Sequence, residues 1–234
     1  MTEELFRKDA YMKGCEATVV AANSDGIVLD RTVFYPEGGG QPGDSGVLRL
    51  LDGRVIRITD TRKGGEGIAH VPEEGADRPS VGVTVTAEIN WERRYLHMRI
   101  HTALHVLCAH VEGAVTGGSI GAGKGRLDFD IPGDRPDKEM LTRKLMDIVE
   151  ADHPLTISWI SDEELKSNPD LIRTMSVKPP TGAGKVRMIR VGDAVDFQPC
   201  GGTHLNSTGE IGPITVDKIE NKGKQNRRIK VTLQ

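Results

Sequence analysis

Val81-Gly-Val-Thr-Val-Thr-Ala-Glu-Ile-Asn90 runs directly into Trp91-Glu-Arg-Arg-Tyr-Leu-His-Met-Arg-Ile100 and His101-Thr-Ala-Leu-His-Val-Leu-Cys-Ala-His-Val-Glu112. In the first ten residues Val81, Val83, Val85, Ala87 and Ile89 alternate strictly, the period-two pattern of a strand with one buried face. From Trp91 the period changes. Ile100, Leu104, Leu107 and Val111 recur at helical spacing with no proline or glycine inside, which predicts an amphipathic helix over roughly 91–112. A strand-rich region therefore ends, and a helix-containing one begins, near residue 90.

Upstream of this switch, apolar runs at 16–22, 26–34, 46–51 and 54–59 read as short strands. Asp25-Gly26 and Asp52-Gly53 between them are hairpin-turn dipeptides, and 72–80 reads as a polar loop. Closely spaced strands of this kind predict a small β-barrel over residues 1–90. Downstream, Leu141, Leu145 and Ile148 mark a second helix over 137–151. A third starts at Ser161, whose spacing to Glu164 is that of a capping box, and stops before Pro169. Strands return at 186–191, 194–198, 213–220 and 227–233. Residues 91–234 are thus expected to form an α+β domain.

The chain has 234 residues, a formal net charge of −3, and sparse aromatics at 4%. No apolar run approaches the roughly 20 residues of a membrane span, and Met1-Thr-Glu-Glu-Leu-Phe-Arg-Lys8 lacks a secretory signal's apolar stretch. A cytoplasmic protein is expected. Cys15, Cys108 and Cys200 are scattered and odd in number, which argues against a disulfide framework. Charge is uneven: residues 1–90 hold 10 basic against 15 acidic side chains, and 91–234 hold 21 against 19. Lys222, Lys224, Arg227, Arg228 and Lys230 crowd together near the end, a patch able to steer phosphate.

On the predicted helix, His101 and His105 are four apart and stand on one face at the edge of the apolar stripe. Two imidazoles at this spacing are half of a zinc site. His97 shares the face, so spacing alone does not choose between 97/101 and 101/105. The residues between the two histidines are Thr102, Ala103 and Leu104, so the glutamate of an HExxH metalloprotease is absent. Cys200-Gly-Gly-Thr-His204 supplies a second half, with two glycines that let the backbone turn sharply. His101, His105, Cys200 and His204 make four borderline-soft ligands suited to one Zn²⁺ per chain. A set split across the whole domain organises a cleft. Gly118 to Lys124 fits G-x-x-x-x-G-K, but Gly125 stands where a P-loop needs Ser or Thr, and Thr181-Gly-Ala-Gly-Lys185 lacks the spacing; no ATP site is expected. Cys108 reads as a core thiol, and Cys15, His70, His110 and His153 as structural or surface residues.

His101-Thr-Ala-Leu-His105 together with Cys200-Gly-Gly-Thr-His204 resembles the editing-domain signature of alanyl-tRNA synthetases, and the length is similar to that of the free-standing, medium-length AlaX editing proteins. Three further segments agree in order. Glu37-Gly-Gly-Gly-Gln-Pro-Gly-Asp-Ser-Gly46 resembles the glycine-rich element of the medium-length members. Arg126-Leu-Asp-Phe-Asp130 resembles a strand of the domain, and Thr208-Gly-Glu-Ile-Gly-Pro213 the stretch after the Cys-His pair. The resemblance implies an N-terminal barrel followed by an editing domain of the threonyl/alanyl-tRNA synthetase type. It implies hydrolysis of the ester of seryl-tRNA, and secondarily of glycyl-tRNA, on the tRNA for alanine, with His101 and His105 at the catalytic centre. By the same resemblance Thr116 and Ser119, in the turn expected after the helix, recognise the substrate, joined by Gly38, Gly39, Gly40 and Gln41 of the glycine-rich loop. Lys222, Lys224, Arg227 and Arg228 would meet the phosphates of the acceptor end. The competing functions are a zinc hydrolase of small esters or amides and a non-catalytic, zinc-stapled RNA-binding module.

Overall fold

The structure, a computed structural model, describes residues 2–173 and 184–234. They form two compact units, Met1–Tyr95 and Leu96–Gln234, so the division falls inside the first helix. In the first unit, β2 (Gly14–Asn23), β3 (Gly26–Leu29), β5 (Gly46–Leu50), β6 (Val55–Gly64), β7 (Gly67–Pro72) and β8 (Thr84–Ile89) close a barrel in the order β2-β3-β7-β6-β5-β8. Every neighbouring pair in it is antiparallel. Two-residue strands β1 (Glu3–Glu4) and β4 (Arg31–Thr32) pair in parallel. Alternation fills the interior: Leu48 and Leu50, Ile56 and Ile58, and Val85, Ala87 and Ile89 are all buried in one core. Closure leaves no long unpaired edge.

The alternating stretch stops short of its expected start. Val81 is 66% exposed and β8 begins only at Thr84, because Gly82 takes a positive φ of 88° in the preceding turn. Gly26, at φ 144°, closes the first hairpin, and a Cβ there would lie 2.5 Å from the His70 carbonyl oxygen. His70, which the sequence left without a partner, has two. Its Nδ1–H donates to the Ile27 carbonyl at 2.8 Å, so Nε2 accepts from the Thr32 hydroxyl, also at 2.8 Å.

The first unit also buries an ion pair. Arg94 and Asp44 are 0% and 1% exposed, and the guanidinium forks onto the carboxylate, with Nε at 3.1 and 3.0 Å from its two oxygens. The remaining Arg94 donors reach the carbonyls of Ala10 and Val33. Asp44 also accepts from the Tyr35 amide at 2.7 Å. A buried pair is tolerable only when its other hydrogen-bonding capacity is filled, as here.

In the second unit α1 (Trp91–His110) is followed by a four-stranded antiparallel sheet in the order β14-β15-β10-β9, built from β9 (Ala114–Ile120), β10 (Lys124–Asp130), β14 (Ile214–Asn221) and β15 (Asn226–Leu233). A second sheet, β11-β12-β13, holds β11 (Leu155–Ser161), β12 (Lys185–Val191) and β13 (Asp196–Pro199). The fold class is α+β. α1 departs from the amphipathic expectation: Ile100 through Cys108 are all buried, so it is enclosed on every side and not only along one stripe. Gly125 makes this possible, since a Cβ there would stand 2.5 Å from Ile100 Cγ2. α2 (Lys138–Glu150), capped by Asp137, buries Leu141, Leu145 and Val149 where Ile148 was expected, one position on from the anticipated face. α3 (Asp162–Ser167) carries the expected Ser161 cap, its hydroxyl accepting from the Glu164 amide at 3.0 Å. The P-loop-like Gly118–Lys124 is a strand end and a hairpin, with Gly121 N–H bonded to the Lys124 carbonyl and no helix after it. Of Thr181–Lys185, residues 181–183 lie outside the described residues.

Two outcomes are expected. Asp44→Ala leaves the Arg94 charge buried without its partner and should lower stability by about 3–5 kcal/mol in urea unfolding; a midpoint within error of the parent would refute the role of the pair. Burial pushes His70 down from 6.5 to about 4. The unfolded chain therefore takes up this proton first, and stabilisation fully present above pH 6.5 is lost as pH falls toward 4. The loss is on the order of 3 kcal/mol, and the slope should flatten in His70→Gln.

Candidate metal centre

The structure brings four of the sequence-derived residues together. One donor atom each from His101, His105, Cys200 and His204 lies within 4.8 Å of all the others. His97, one turn earlier on α1, is buried but outside this group, which resolves the register in favour of 101/105. His101 Nε2 is 3.4 Å and His204 Nε2 3.3 Å from Cys200 Sγ. The rings of His101 and His204 are 4.1 Å apart, and those of His105 and His204 4.5 Å.

His105, His204 and Cys200 are each aimed by a second contact. His105 Nδ1–H donates to Asp196 Oδ2 at 2.8 Å, leaving Nε2 for the cluster. Gln198 Nε2 donates to the same carboxylate oxygen at 2.8 Å. His204 Nδ1 is 3.3 Å from the Thr102 hydroxyl, which also accepts the Leu205 amide. Arg187 Nη1 holds the carbonyls of Cys200 and Gly202 at 2.8 and 3.0 Å and so fixes the Cys-Gly-Gly turn. Gly202 N–H points back at Sγ, 3.5 Å away.

The electrostatics follow from this packing. Burial pushes the Cys200 thiol up, but His101 and His204 outweigh burial and hold it well below the ordinary thiol range. Burial likewise disfavours a charged His105, yet the Asp196 hydrogen bond and the Cys200 sulfur prevail and push it up to about 10. At His204 burial and the neighbouring His101 both act downward, and its pKa falls well below 6.5. A thiolate and three imidazoles with fixed donor directions could hold a metal ion. The imidazoles are nearly but not wholly enclosed, with 8%, 7% and 5% of His101, His105 and His204 exposed, so a small group can reach the cluster's edge.

The other expected site residues have the following local settings. Thr116 and Ser119 are in β9, not in a turn. Ser119 is exposed and pairs with Arg126; the neighbouring position, Gly125, faces α1, so the pleat turns Ser119 to the other side of the sheet. Thr116 sits at a bulge, its hydroxyl accepting from Asn226 Nδ2 at 2.9 Å. Residues 38–41 form a tight turn in the first unit. Gly38 and Gln41 exchange two backbone hydrogen bonds, and Gly39 and Gly40 take φ of 60° and 82°, values that glycine alone adopts without strain. Gln41 is buried there. Arg228 forks onto Asp128 through two 2.8 Å hydrogen bonds. Arg227 binds carbonyls of its own turn, and Lys222 lies 3.6 Å from Glu220. Lys224 is exposed at the tip and makes no ion pair among the described residues. Cys108 is the buried, inert thiol expected, pushed up to about 11 by burial.

Asp196, Gln198, Thr102 and Arg187 escaped the sequence reading. One signal was available: Asp196, Gln198 and Cys200 alternate along a strand, and period two puts all three on one face.

Residues 186–230 match the family described as the threonyl and alanyl tRNA synthetase second additional domain, and residues 6–93 match tRNA synthetases class II (A). The first match takes in Cys200 and His204. The alanyl-tRNA editing protein AlaX-M of Methanosarcina acetivorans is 37% identical over 244 residues, covering 100% of this chain and 99% of that protein. AlaX-M of Saccharolobus solfataricus is 33% identical over 241 residues, with 100% of both chains covered. The alanine–tRNA ligase of Pyrobaculum calidifontis is 39% identical over 235 residues, which span 94% of this chain but 25% of the ligase.

Removing the aiming contact should weaken the centre without touching a donor. Asp196→Asn is expected to lower affinity for a divalent metal about 10- to 100-fold, measured by competition with a chelating dye. Equal affinity in variant and parent would show that the His105–Asp196 hydrogen bond does not orient a ligand.

Proposed function

The chain belongs to the alanyl-tRNA editing proteins of the AlaX-M type, and from that membership we propose that it hydrolyses the ester joining a wrong amino acid to the terminal ribose of the tRNA for alanine. The substrates are seryl-tRNA and, secondarily, glycyl-tRNA; the partner is the acceptor end of that tRNA. The observation that carries this reading is the aimed four-donor cluster, left open by a few per cent at its imidazoles. Ester hydrolysis in water runs downhill and needs no nucleoside triphosphate.

The donor set fits zinc. Zn–N and Zn–S bond lengths imply a tetrahedral N-to-S edge of about 3.5 Å, and the two Nε2-to-Sγ distances are 3.4 and 3.3 Å. His101, His105, Cys200 and His204 would hold the ion. Bound there with four protein ligands, zinc supplies a Lewis-acidic positive charge beside the ester, suited to orienting the substrate's amino group or carbonyl.

The chain's own residues do the rest. Asp196 and Thr102 engage the Nδ1 atoms of His105 and His204 so that their Nε2 atoms face inward, which commits these two imidazoles to holding and not to moving protons. Arg187 and the glycine turn keep Cys200 in place. Selectivity against alanine needs a group that hydrogen-bonds the serine hydroxyl, because a site built for a hydroxyl strongly rejects the analogue lacking it. The candidates for this group are the hydroxyls of Thr116, which accepts from Asn226, and of Ser119, on the sheet face away from α1. The exposed Gly39 and Gly40 offer backbone to the tRNA, and Lys222 and Lys224 offer charge to its phosphates.

The purified protein, incubated with seryl-, glycyl- and alanyl-tRNA prepared on the tRNA for alanine, should release serine fastest, glycine more slowly, and leave the alanyl ester intact. Release of no amino acid from a zinc-loaded sample would overturn the proposal.

A further inference from the structure

Trp159 lies on β11 with 53% of its surface exposed, and Ile157, two residues earlier on the same face, with 46%. Its indole makes no hydrogen bond or ring contact among the described residues. Single exposed apolar residues need no explanation; what distinguishes this one is its register.

Trp159 pairs with Arg187 across β11 and β12. The Met188–Pro199 pairing of β12 with β13 continues by one residue, because the Cys200 amide donates to the Arg187 carbonyl at 3.1 Å. Trp159, Arg187 and Cys200 therefore form one row across three chain segments, and the pleat turns their side chains to one face. Asp196 and Gln198, which aim His105, are on that face too. Ile160, Val186 and Met188 occupy the opposite face, packed with Leu165 of α3, so the acidic first turn of α3 belongs to that other side. Lys185, exposed and paired with Ser161, is the next residue on the Trp159 face. Two strand spacings separate Trp159 from Cys200, about 10 Å.

We infer that Trp159 is a stacking platform for the base of the tRNA's terminal nucleotide, with Lys185 beside it for the adjoining phosphate. This rests on the editing function proposed above. With the ester at the cluster, the terminal ribose bridges the interval between Cys200 and Trp159, and the base arrives over the indole. A flat aromatic flanked by a cation is what single-stranded nucleic-acid sites use, since every base offers a π-face and every linkage a negative charge. The Trp159 row also explains why an aromatic is left bare at this sheet's margin while Arg187, its neighbour, is buried and holds the Cys200 turn.

The test uses the full-length, zinc-loaded protein. Trp159→Ala should raise KM for seryl-tRNA about tenfold or more while kcat changes less than about threefold, and Trp159→Phe should restore most of the loss. The chain has two tryptophans, so Trp91→Phe leaves Trp159 as the sole reporter, and AMP should quench its fluorescence saturably. An unchanged KM in Trp159→Ala, a kcat loss at unchanged KM, or AMP leaving the fluorescence unaltered would each overturn the inference. If the parent deacylates no tRNA, the editing function fails instead, and AMP quenching still decides the platform on its own.

Discussion

Packing a thiol and three imidazoles into one buried cluster is the constraint on which the second unit is built. Burial acts against charge at His105, Cys200 and His204, and the cluster keeps a defined geometry because each of these three has a fixed neighbour. Asp196 supplies the charge that His105 needs, and Thr102 holds the far nitrogen of His204. Thr102 comes from the turn of α1 between His101 and His105, so one helix provides two donors and the support of a third. That arrangement requires α1 to be enclosed on all sides, which in turn requires Gly125 where any larger residue would push the helix away.

The first unit solves a related problem with different chemistry. Arg94 also comes from α1, and four of its five N–H donors are spent on Asp44 and on backbone carbonyls of Ala10 and Val33. The Asp44 carboxylate ties the end of the glycine-rich segment to Tyr35. Close backbone approach reinforces this: a Cβ at Gly43 would lie 2.0 Å from the Thr61 carbonyl oxygen, and one at Gly46 2.1 Å from that of Glu88. The glycines of this segment thus answer two separate demands. Gly43 and Gly46 permit backbone contact, whereas Gly39 and Gly40 permit the left-handed turn, and a Cβ at Gly39 would meet only open space.

How far the sequence disclosed this depends on whether the deciding physics is local. The change of period at Trp91 exposed the passage from barrel to helix, because strands and helices impose their periods on contiguous residues. The His-Cys-His cluster could be assembled from two short spacings, each legible by itself. β7 was missed because its six-residue run, bounded by Gly67 and Pro72 and buried at three successive positions, shows no alternation. β9 was missed because Thr116-Gly-Gly-Ser119 has the composition of a turn, and only pairing with β10 makes it a strand. Asp196, Arg94 and Asp44 carry no local mark at all: their roles arise from partners 50 or more residues away. His70 was legible as a residue and not as a neutral, doubly bonded core group, since both partners come from other strands.

Charge along the C-terminal hairpin shows why composition alone overstates a binding patch. Arg228 is committed to Asp128, which also accepts from Arg126 at 2.6 Å, and Lys218, Lys222 and Lys230 gather around Glu220. Hydrogen bonds from Lys218 and Lys230 hold that carboxylate down to about 2. The cations are thereby positioned as well as partly neutralised. An arginine already forked onto a carboxylate has lost the planar bidentate geometry that makes it a strong phosphate ligand, whereas a lysine near a shared carboxylate keeps donors free to turn outward. The cations at this edge that keep donors for a polyanion are therefore the lysines, as point charges screened by salt. Point charges of this kind attract any polyanion and choose none; fixed side-chain geometry is found instead along the row that joins β11, β12 and the Cys200 turn.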